Sequence, residues 1–584
     1  DTARGARQLI VSNSAAPQVT AGAGKELTSF NSTGFSLGPN DNADVNLSPD
    51  NYGSWTFRKQ PKFFDVVTYT GNGTTQNIAH SLGSVPGFIV VKRIDTGGTN
   101  WNCYHTSLGN TQVLNLNTTA AAATVSTVWN NTTPTSTVFT VGSGAGVNTS
   151  GGTYVAYIFA HDAGGFGLTG TDNVISCGSF TTDGSGNATV NLGYEPQWVM
   201  IKSSNAVGGW RMYDTMRGMP TPPENGVRLL AEASSAEAAS NGPKPNATGF
   251  TMAGFLTSDT SIYIAIRRGP MKVPTDGTKV FAPAYYSSGL ATGTKSTTNF
   301  PVDMQMVRYT PGASSVNSLF VDRLRGVSTT SGTISGPYLV SSATDAETTS
   351  GSNGWDNTGF YRSGAFGPSD PSVYHSLARA PSFFDEVCYT GTGSAGLTVA
   401  HNLGVAPDII FVKKRSATGN WVGYFSSLGN TQNIQLNTDT GPSTWIGAWN
   451  NTSPTSSVFT LGGGADLNAS GSTYVAYLFA TCAGVSKVGS YTGNGTTQAI
   501  ACGFAGGARF VLIKRTDASG DWYVYDTARG MTTLTDPYLL LNSTAAESAT
   551  LGSVTTTTGG FTVNASILAA INTNGASYLF LAIA

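Results

Sequence analysis

Four tryptophan–tyrosine pairs are the residues best placed by type and spacing to touch a ligand. Trp101 with Tyr104, Trp210 with Tyr213, Trp421 with Tyr424 and Trp522 with Tyr525 share the pattern Trp-x-x-Tyr. Positions three apart on a strand face opposite ways. One ring of each pair is therefore expected in a core and the other at least partly exposed. An exposed aromatic beside Asn, Asp and Thr suits stacking on a pyranose; a ring filling a sandwich core is the plainer alternative. A second motif, Asp-Thr-x-Arg-Gly, recurs at Asp1, Asp214 and Asp526, with Asp322…Arg325-Gly326 as a variant. Asp and Arg three apart around a tight turn can form a carboxylate–guanidinium pair that pins the loop. Alternatively, Arg217, Arg325 and Arg529 could be exposed and read an anionic sugar.

Other chemistry finds little to work with. Of the five histidines only His80 and His401 are equivalent, in "AHSLG" and "AHNLG". A metal site needs three or four convergent ligands, so they are expected to be structural and no metal is expected. The five cysteines, Cys103, Cys177, Cys388, Cys482 and Cys502, fall at non-equivalent positions of the repeat and lack Cys-x-x-Cys spacing. They read as buried or incidental thiols, not as a disulfide framework. The one Gly-x-Ser-x-Gly match, near Gly393, sits in a turn and not on a strand-to-helix elbow. Paired acids for glycoside hydrolysis have only 33 Asp and Glu to draw on. The expectation is a protein that is not an enzyme and holds no cofactor.

Composition narrows the partners. Charged residues make up 11% of the 584, and Gly alone contributes 72. Aromatics at 10% and runs such as Phe88-Ile89-Val90-Val91 show that the chain can bury cores, unlike a disordered one. A net charge of −2 with scattered signs offers no basic stripe for nucleic acid. No apolar run approaches the roughly 18–20 residues needed to span a bilayer.

The elements that position these residues come in repeats. Phe63–Ala160 matches Phe383–Ala480 at an offset of 320 residues, through "WNNTTPTSTVFT" at Trp129 and "WNNTSPTSSVFT" at Trp449. Val174–Arg268 resembles Val488–Ala584 more weakly, and the opening fragment resembles Leu290–Pro381. Three types of unit, each of about 107 residues, thus cycle in fixed order. Each reads as seven or eight short strands separated by turn signals, which predicts an all-β tandem array of sandwich or jelly-roll-like domains. The expected units are 1–60 (third type, partial), 61–165 (first), 166–288 (second, with a linker strand at Lys279–Phe281), 289–380 (third), 381–482 (first) and 483–584 (second). The opening Asp1 falls inside a unit, so the natural start is expected to lie upstream. Asn-Gly in "YTGNGTTQ" at Tyr69 and Tyr491 predicts type I′ hairpins, with Asp183-Gly184 and Pro311-Gly312 in the corresponding places. The only helical hint is Leu229–Ser240, for which at most one turn is expected.

The strings "YTGNGTTQNIAHSLG", "WNNTTPTSTVFT" and "YIAIRRGPMKVPTDGTKVF" at Tyr263 resemble repeat proteins of marine tailed phages, the tail-fibre-like virion proteins of cyanophages and of phages of other ocean bacteria. The resemblance covers essentially the whole chain. It implies a virion structural protein in the tail or outer surface, extracellular after synthesis in the host cytoplasm. Its implied partners are other virion proteins and further copies of itself, as a homo-oligomer and in related assemblies a trimer. The favoured expectation is a fibre or adhesin that binds host cell-surface glycan or another receptor. A purely architectural tail or capsid component is the alternative, and a polysaccharide depolymerase the more distant one.

Overall fold

The computed structural model describes all residues except 33, 42–44, 51, 168, 220–225, 292–293, 311–316, 327, 331–332, 352–353, 357, 363–370, 532–535, 549–551 and 565–567. The chain is all-β and forms two compact units. One is built from Asp1–Met219, Asn225–Pro245 and Gly249–Arg268, the other chiefly from Gly269–Ala584. Each unit therefore holds one triplet of the repeat: third, first and second type.

The first-type sandwich of the second triplet shows the common plan. Its large antiparallel sheet runs, from one edge to the other, Phe384–Thr390, Thr473–Phe479, Ile409–Lys414, Val422–Phe425, Gln432–Gln435 and Ser443–Thr444. A small sheet pairs Leu397–Ala400 with Val458–Leu461 and covers one face. The closing strand, Thr473–Phe479, thus lies between the first and third strands, with Ile409↔Phe479 and Phe384↔Phe479 in register. The same order recurs around Thr153–Ala160, Thr260–Arg267 and Ser577–Ile583.

Ile409–Lys414 reads Ile-Ile-Phe-Val-Lys-Lys without alternation because both of its faces are buried. Ile410 and Val412 face the sandwich's own core. Ile409 and Phe411 face a second core shared with the other two sandwiches of the triplet, where they meet Phe320, Met306, Phe510 and Leu512. The second triplet is thus a ring of three sandwiches whose large sheets face one another across this shared core.

Several local expectations are corrected. The Asn-Gly turns join strands of different sheets: Phe64–Thr70 pairs in the large sheet and Gln76–Ala79 in the small one. They are arches between layers, not hairpins, and of the two turn residues only Gly73 has positive φ. The glycine of "Tyr-Thr-Gly" has a different cause. A Cβ on Gly71, Gly391 or Gly493 would lie 2.3, 2.3 and 2.2 Å from a carbonyl oxygen of the adjoining loop. Pro311-Gly312 lies outside the described residues.

Leu229–Ser240 forms no helix: Gly226–Leu230 and Ala238–Ser240 are paired strands. Among the described residues, α-helical turns occur instead at Ser126–Trp129, Ala145–Asn148, Ile446–Trp449 and Ala465–Asn468, and the first and third of these end on two left-handed asparagines, Asn130-Asn131 and Asn450-Asn451. Short polar side chains tolerate that conformation, which accounts for the recurring "WNN". Of Lys279–Phe281, expected as a linker strand, Lys279 ends a 3-10 turn that starts at Gly277, and Phe281 opens the first strand of the third-type sandwich. Phe281–Tyr286 pairs along the closing strand Ser372–Leu377, so that sandwich begins before residue 289.

Candidate functional site

The sequence singled out residues that the fold brings to the junctions between sandwiches. All eight rings of the Trp-x-x-Tyr pairs are buried, the most exposed being Trp101 at 5%. The two members of a pair do face opposite ways, but both faces of the sheet are covered. Trp421 and Trp522 enter the shared core, whereas Tyr424 and Tyr525 enter the cores of their own sandwiches. No ring among Trp101, Tyr104, Trp210, Tyr213, Trp421, Tyr424, Trp522 and Tyr525 is free to stack on a sugar. The expectation of a partly exposed ring fails because each sheet is a middle layer.

The indoles close the ring. Trp421 Nε1 donates to Val340 O of the third-type sandwich at 2.8 Å, and Trp522 Nε1 donates to Gln435 O of the first-type one at 3.0 Å. The third-type sandwich has Ser318 at the tryptophan position, and the neighbouring-strand Arg308 takes over. Its Nη1 donates to Leu540 O and Ser543 O of the second-type sandwich at 2.5 and 3.0 Å, and its Nη2 donates to Ala545 O. First binds third, second binds first and third binds second. In the first triplet, Trp210 Nε1 reaches Asn115 O at 2.9 Å and Trp101 Nε1 reaches Ser14 O at 3.0 Å.

A fully buried lysine accompanies each tryptophan on the adjacent strand. Lys413 Nζ donates to Thr344 O at 3.0 Å, Lys514 Nζ to Asp439 O at 2.8 Å, Lys202 Nζ to Thr119 O at 3.1 Å and Lys92 Nζ to Ala15 O at 3.1 Å. Each carbonyl belongs to the neighbouring sandwich of the ring. Burial lowers the Lys202, Lys413 and Lys514 ammonium groups to about 8.

The Asp-x-x-Arg motif folds as a pinned turn. The Arg217, Arg325 and Arg529 amides donate to Oδ1 of Asp214, Asp322 and Asp526 at 2.9, 2.8 and 3.0 Å. Their Nε atoms donate to Oδ2 at 2.5, 2.5 and 2.7 Å. Each Nη1 reaches a second carboxylate, Glu237, Glu347 or Glu547, at 2.9, 2.8 and 2.8 Å. Arg325 and Arg529 are almost wholly enclosed and Arg217 nearly so, which leaves no guanidinium face for an anionic sugar.

The same aspartates tie sandwiches together. Tyr477 of the first-type sandwich donates to Asp322 Oδ2 at 2.7 Å, and His375 Nε2 of the third-type sandwich lies 2.9 Å from Asp526 Oδ2. Burial opposes the Asp526 charge, yet Arg529 and His375 hold its carboxyl far below the usual range. Around Arg325, Asp322, Tyr477 and Glu347 outweigh burial and raise the guanidinium further.

Two recurring partners escaped the sequence reading although the repeat carries their signal. The glutamates that complete the arginine pairs stand in "Ala-Glu" at 236–237, 346–347 and 546–547. Buried Asn148, Asn468 and Asn572 precede "TSG", "ASG" and "TNG" and hold the arches. Their Oδ1 atoms accept from Asn72 N, Thr392 N and Asn494 N at 2.8, 2.7 and 2.9 Å. His80 and His401 accept from Leu82 N and Leu403 N through Nδ1. The five cysteines are free thiols. Among the described residues, no group of three or more His, Cys, Asp or Glu could hold a metal ion, and no helix is long and apolar enough to cross a membrane.

A family model described as a domain of unknown function, DUF7483, matches residues 1–261 and 375–584, and the chain belongs to that family. No curated protein matches the chain.

Proposed function

We propose that this member of the DUF7483 family is a non-enzymatic structural component of a phage virion, a tail-fibre-like protein on the particle's outer surface. The observation that carries the reading is that the recurring polar and aromatic residues are used to close triplets. Trp421, Trp522 and Arg308 each satisfy a carbonyl of the next sandwich in the ring. A chain whose repeating chemistry is spent on its own junctions suits mechanical reach and stiffness. A surface built from Thr, Ser and Asn also keeps its properties in sea water, where exposed ion pairs are screened within about 3–10 Å.

Burial of all eight Trp-x-x-Tyr rings favours the architectural version of this reading over glycan binding through aromatic faces. Contact with host polysaccharide would then fall to polar loops, and partners would be neighbouring virion proteins and further copies of this chain. Antibody raised against the chain should label the tails of purified phage particles whose genome encodes it. Particles that remain unlabelled while the antibody detects the protein in the lysate would reject the virion role. Fluorescent chain that adsorbs to host but not to non-host cells would restore the adhesin reading.

A further inference from the structure

The two first-type sandwiches are close copies, and several of their differences gather in one place. Trp445, Ile446 and Gly447 stand where the first triplet has Val125, Ser126 and Thr127, and Asn433 and Ser443 stand where it has Val113 and Ala123. The adjoining strings "WNNTTPTSTVFT" and "WNNTSPTSSVFT" differ only by exchanges of Thr for Ser. The backbone is held alike in both. Gly142 N and Gly144 N donate to Val128 O and Thr127 O at 2.8 and 2.9 Å, and Gly462 N and Gly464 N donate to Ala448 O and Gly447 O at 2.8 and 2.9 Å. Val125 N and Trp445 N likewise reach Thr111 O and Thr431 O at 3.0 and 3.1 Å.

On that common frame the side chains of the second triplet build a surface that the first lacks. The Trp445 indole lies over two glycines: a Cβ on Gly447 would fall 2.5 Å from Nε1, and one on Gly464 would fall 2.4 Å from Cζ2. In the first triplet Thr127 fills this place, its Oγ1 3.6 Å from a Cβ on Gly144. A threonine at 447 would displace the ring, so tryptophan and glycine form one coupled change. The indole packs against the sandwich's own core, yet it is only partly buried, and Ile446 beside it is 64% exposed. Ser443 is exposed and lies two residues before Trp445 along extended backbone, so the two side chains share a face. Asn433, buried directly opposite on the next strand, donates through Nδ2 to Ser443 Oγ at 3.1 Å and to Ser443 O at 3.0 Å. The hydroxyl is thus fixed as an acceptor there and keeps its own proton for a group outside.

We propose that Trp445, Ile446 and Ser443 form a saccharide-binding platform, on which the indole stacks against one pyranose ring of a neutral glycan and Ser443 bonds one of its hydroxyls. A pyranose has a C–H face, which the negative face of an aromatic ring attracts, and a rim of hydroxyls that exchange hydrogen bonds. Core packing does not account for the indole, because Val125 meets that need on the same backbone. A protein partner is disfavoured by size, since one indole and one isoleucine fall well short of the roughly 800 Å² that each side of a standard interface buries. The platform gives a place to the saccharide contact considered above, but it rests on these residues and not on a virion role.

Titration of the purified full chain with cellohexaose, xylohexaose and laminarihexaose, all built of neutral pyranoses, tests the site apart from any particle. At least one of the three should bind, at one site per chain. A variant combining Trp445→Val, Ile446→Ser and Gly447→Thr carries residues that the first triplet already accommodates on this backbone. It should fold as the parent does and bind about tenfold more weakly or less. The reverse exchange in the first triplet, Val125→Trp, Ser126→Ile and Thr127→Gly with Val113→Asn and Ala123→Ser, should raise the count to two sites. Absence of binding to all three sugars, or equal binding by the parent and the first variant, would overturn the proposal. A count that stays at one after the reverse exchange would do the same. So would light scattering that shows a dimer which the first variant abolishes, since a second copy would then cover the platform.

Discussion

At the residue scale, buried charge sets how the fold responds to pH. Lys202, Lys413 and Lys514 titrate near 8 when folded against about 10.5 when unfolded. Between those values the unfolded chain binds more protons, so stability rises with pH. The phenols of Tyr389, Tyr477, Tyr491 and Tyr525 are pushed well above 10, chiefly by burial. Above pH 10 the unfolded chain therefore loses protons first and stability falls. The urea midpoint should climb from pH 8 to a maximum at about 9.5–10 and then drop; a steady decline from pH 8 would contradict the lysine burial. Glu386 makes a sharper case. It is wholly buried, neither carboxylate oxygen has a hydrogen-bond donor among the described residues, and the Arg379 guanidinium stands 4.0 Å away. Burial, reinforced by Asp322, raises its pKa well above the usual range. The folded chain keeps a proton that the unfolded chain releases above about 4.5, which costs stability as pH rises. Glu386→Gln should raise the unfolding free energy of the second triplet by about 1–3 kcal/mol at pH 7.5, and the gain should vanish near pH 4.5. Val66 occupies the equivalent place in the first triplet, which shows that the position does not require a carboxylate.

At the scale of elements, the junction hydrogen bonds can be separated from ring packing. Trp522→Phe keeps an aromatic in the shared core but leaves Gln435 O without its donor. Trp449→Phe removes an indole of the same size, equally buried, whose Nε1 has no partner among the described residues. The first substitution should cost about 1–3 kcal/mol more than the second in chemical denaturation; equal losses would reduce the cross-sandwich bond to packing. The strands themselves were legible in the sequence because the repeats align and turn residues punctuate them. Their faces were not. A run such as Ile409–Lys414 shows burial on both sides but not which neighbour lies on each. Asn-Gly suggested hairpins because local turn chemistry does not reveal that the flanking strands belong to different sheets. Phe281 reads as the end of a linker because the ladder partner of Phe281–Tyr286, Ser372–Leu377, lies almost a hundred residues later. The Trp-x-x-Tyr pairs were found, and their opposite orientation follows from strand geometry. Their exposure depended on a third layer that no local pattern announces. Arg325 and Arg529 are equally clear as loop-pinning residues, whereas Glu347 and Glu547 become visible only once the units are superposed.

For the whole molecule, the shared core predicts that the folding unit is the triplet and not the 107-residue repeat. A single first-type sandwich, residues 381–482, would turn Phe411, Trp421, Phe425, Tyr477 and Phe479 out to water, since these side chains are buried only by the shared core. Five aromatics at about 150–250 Å² each exceed the largest apolar patch of a typical monomer, about 300–600 Å². Its Trp421 indole and Lys413 ammonium would also lose the carbonyls of Val340 and Thr344. Residues 269–584 keep all three partners and their closed ring. Expressed separately, this triplet should unfold in one cooperative transition and remain soluble. The isolated sandwich should bind hydrophobic dye, lack dispersed side-chain signals in NMR, and aggregate. Cooperativity is the decisive measurement. If calorimetry of residues 269–584 resolved three transitions, each with the enthalpy of about 100 residues, roughly 60–80 kcal/mol, the sandwiches would be independent domains that merely touch. A single transition near three times that enthalpy would mean that the shared core and the ring of Trp421, Trp522 and Arg308 couple them. Arg308→Met should then lower the stability of the first- and second-type sandwiches together, although it touches only the second.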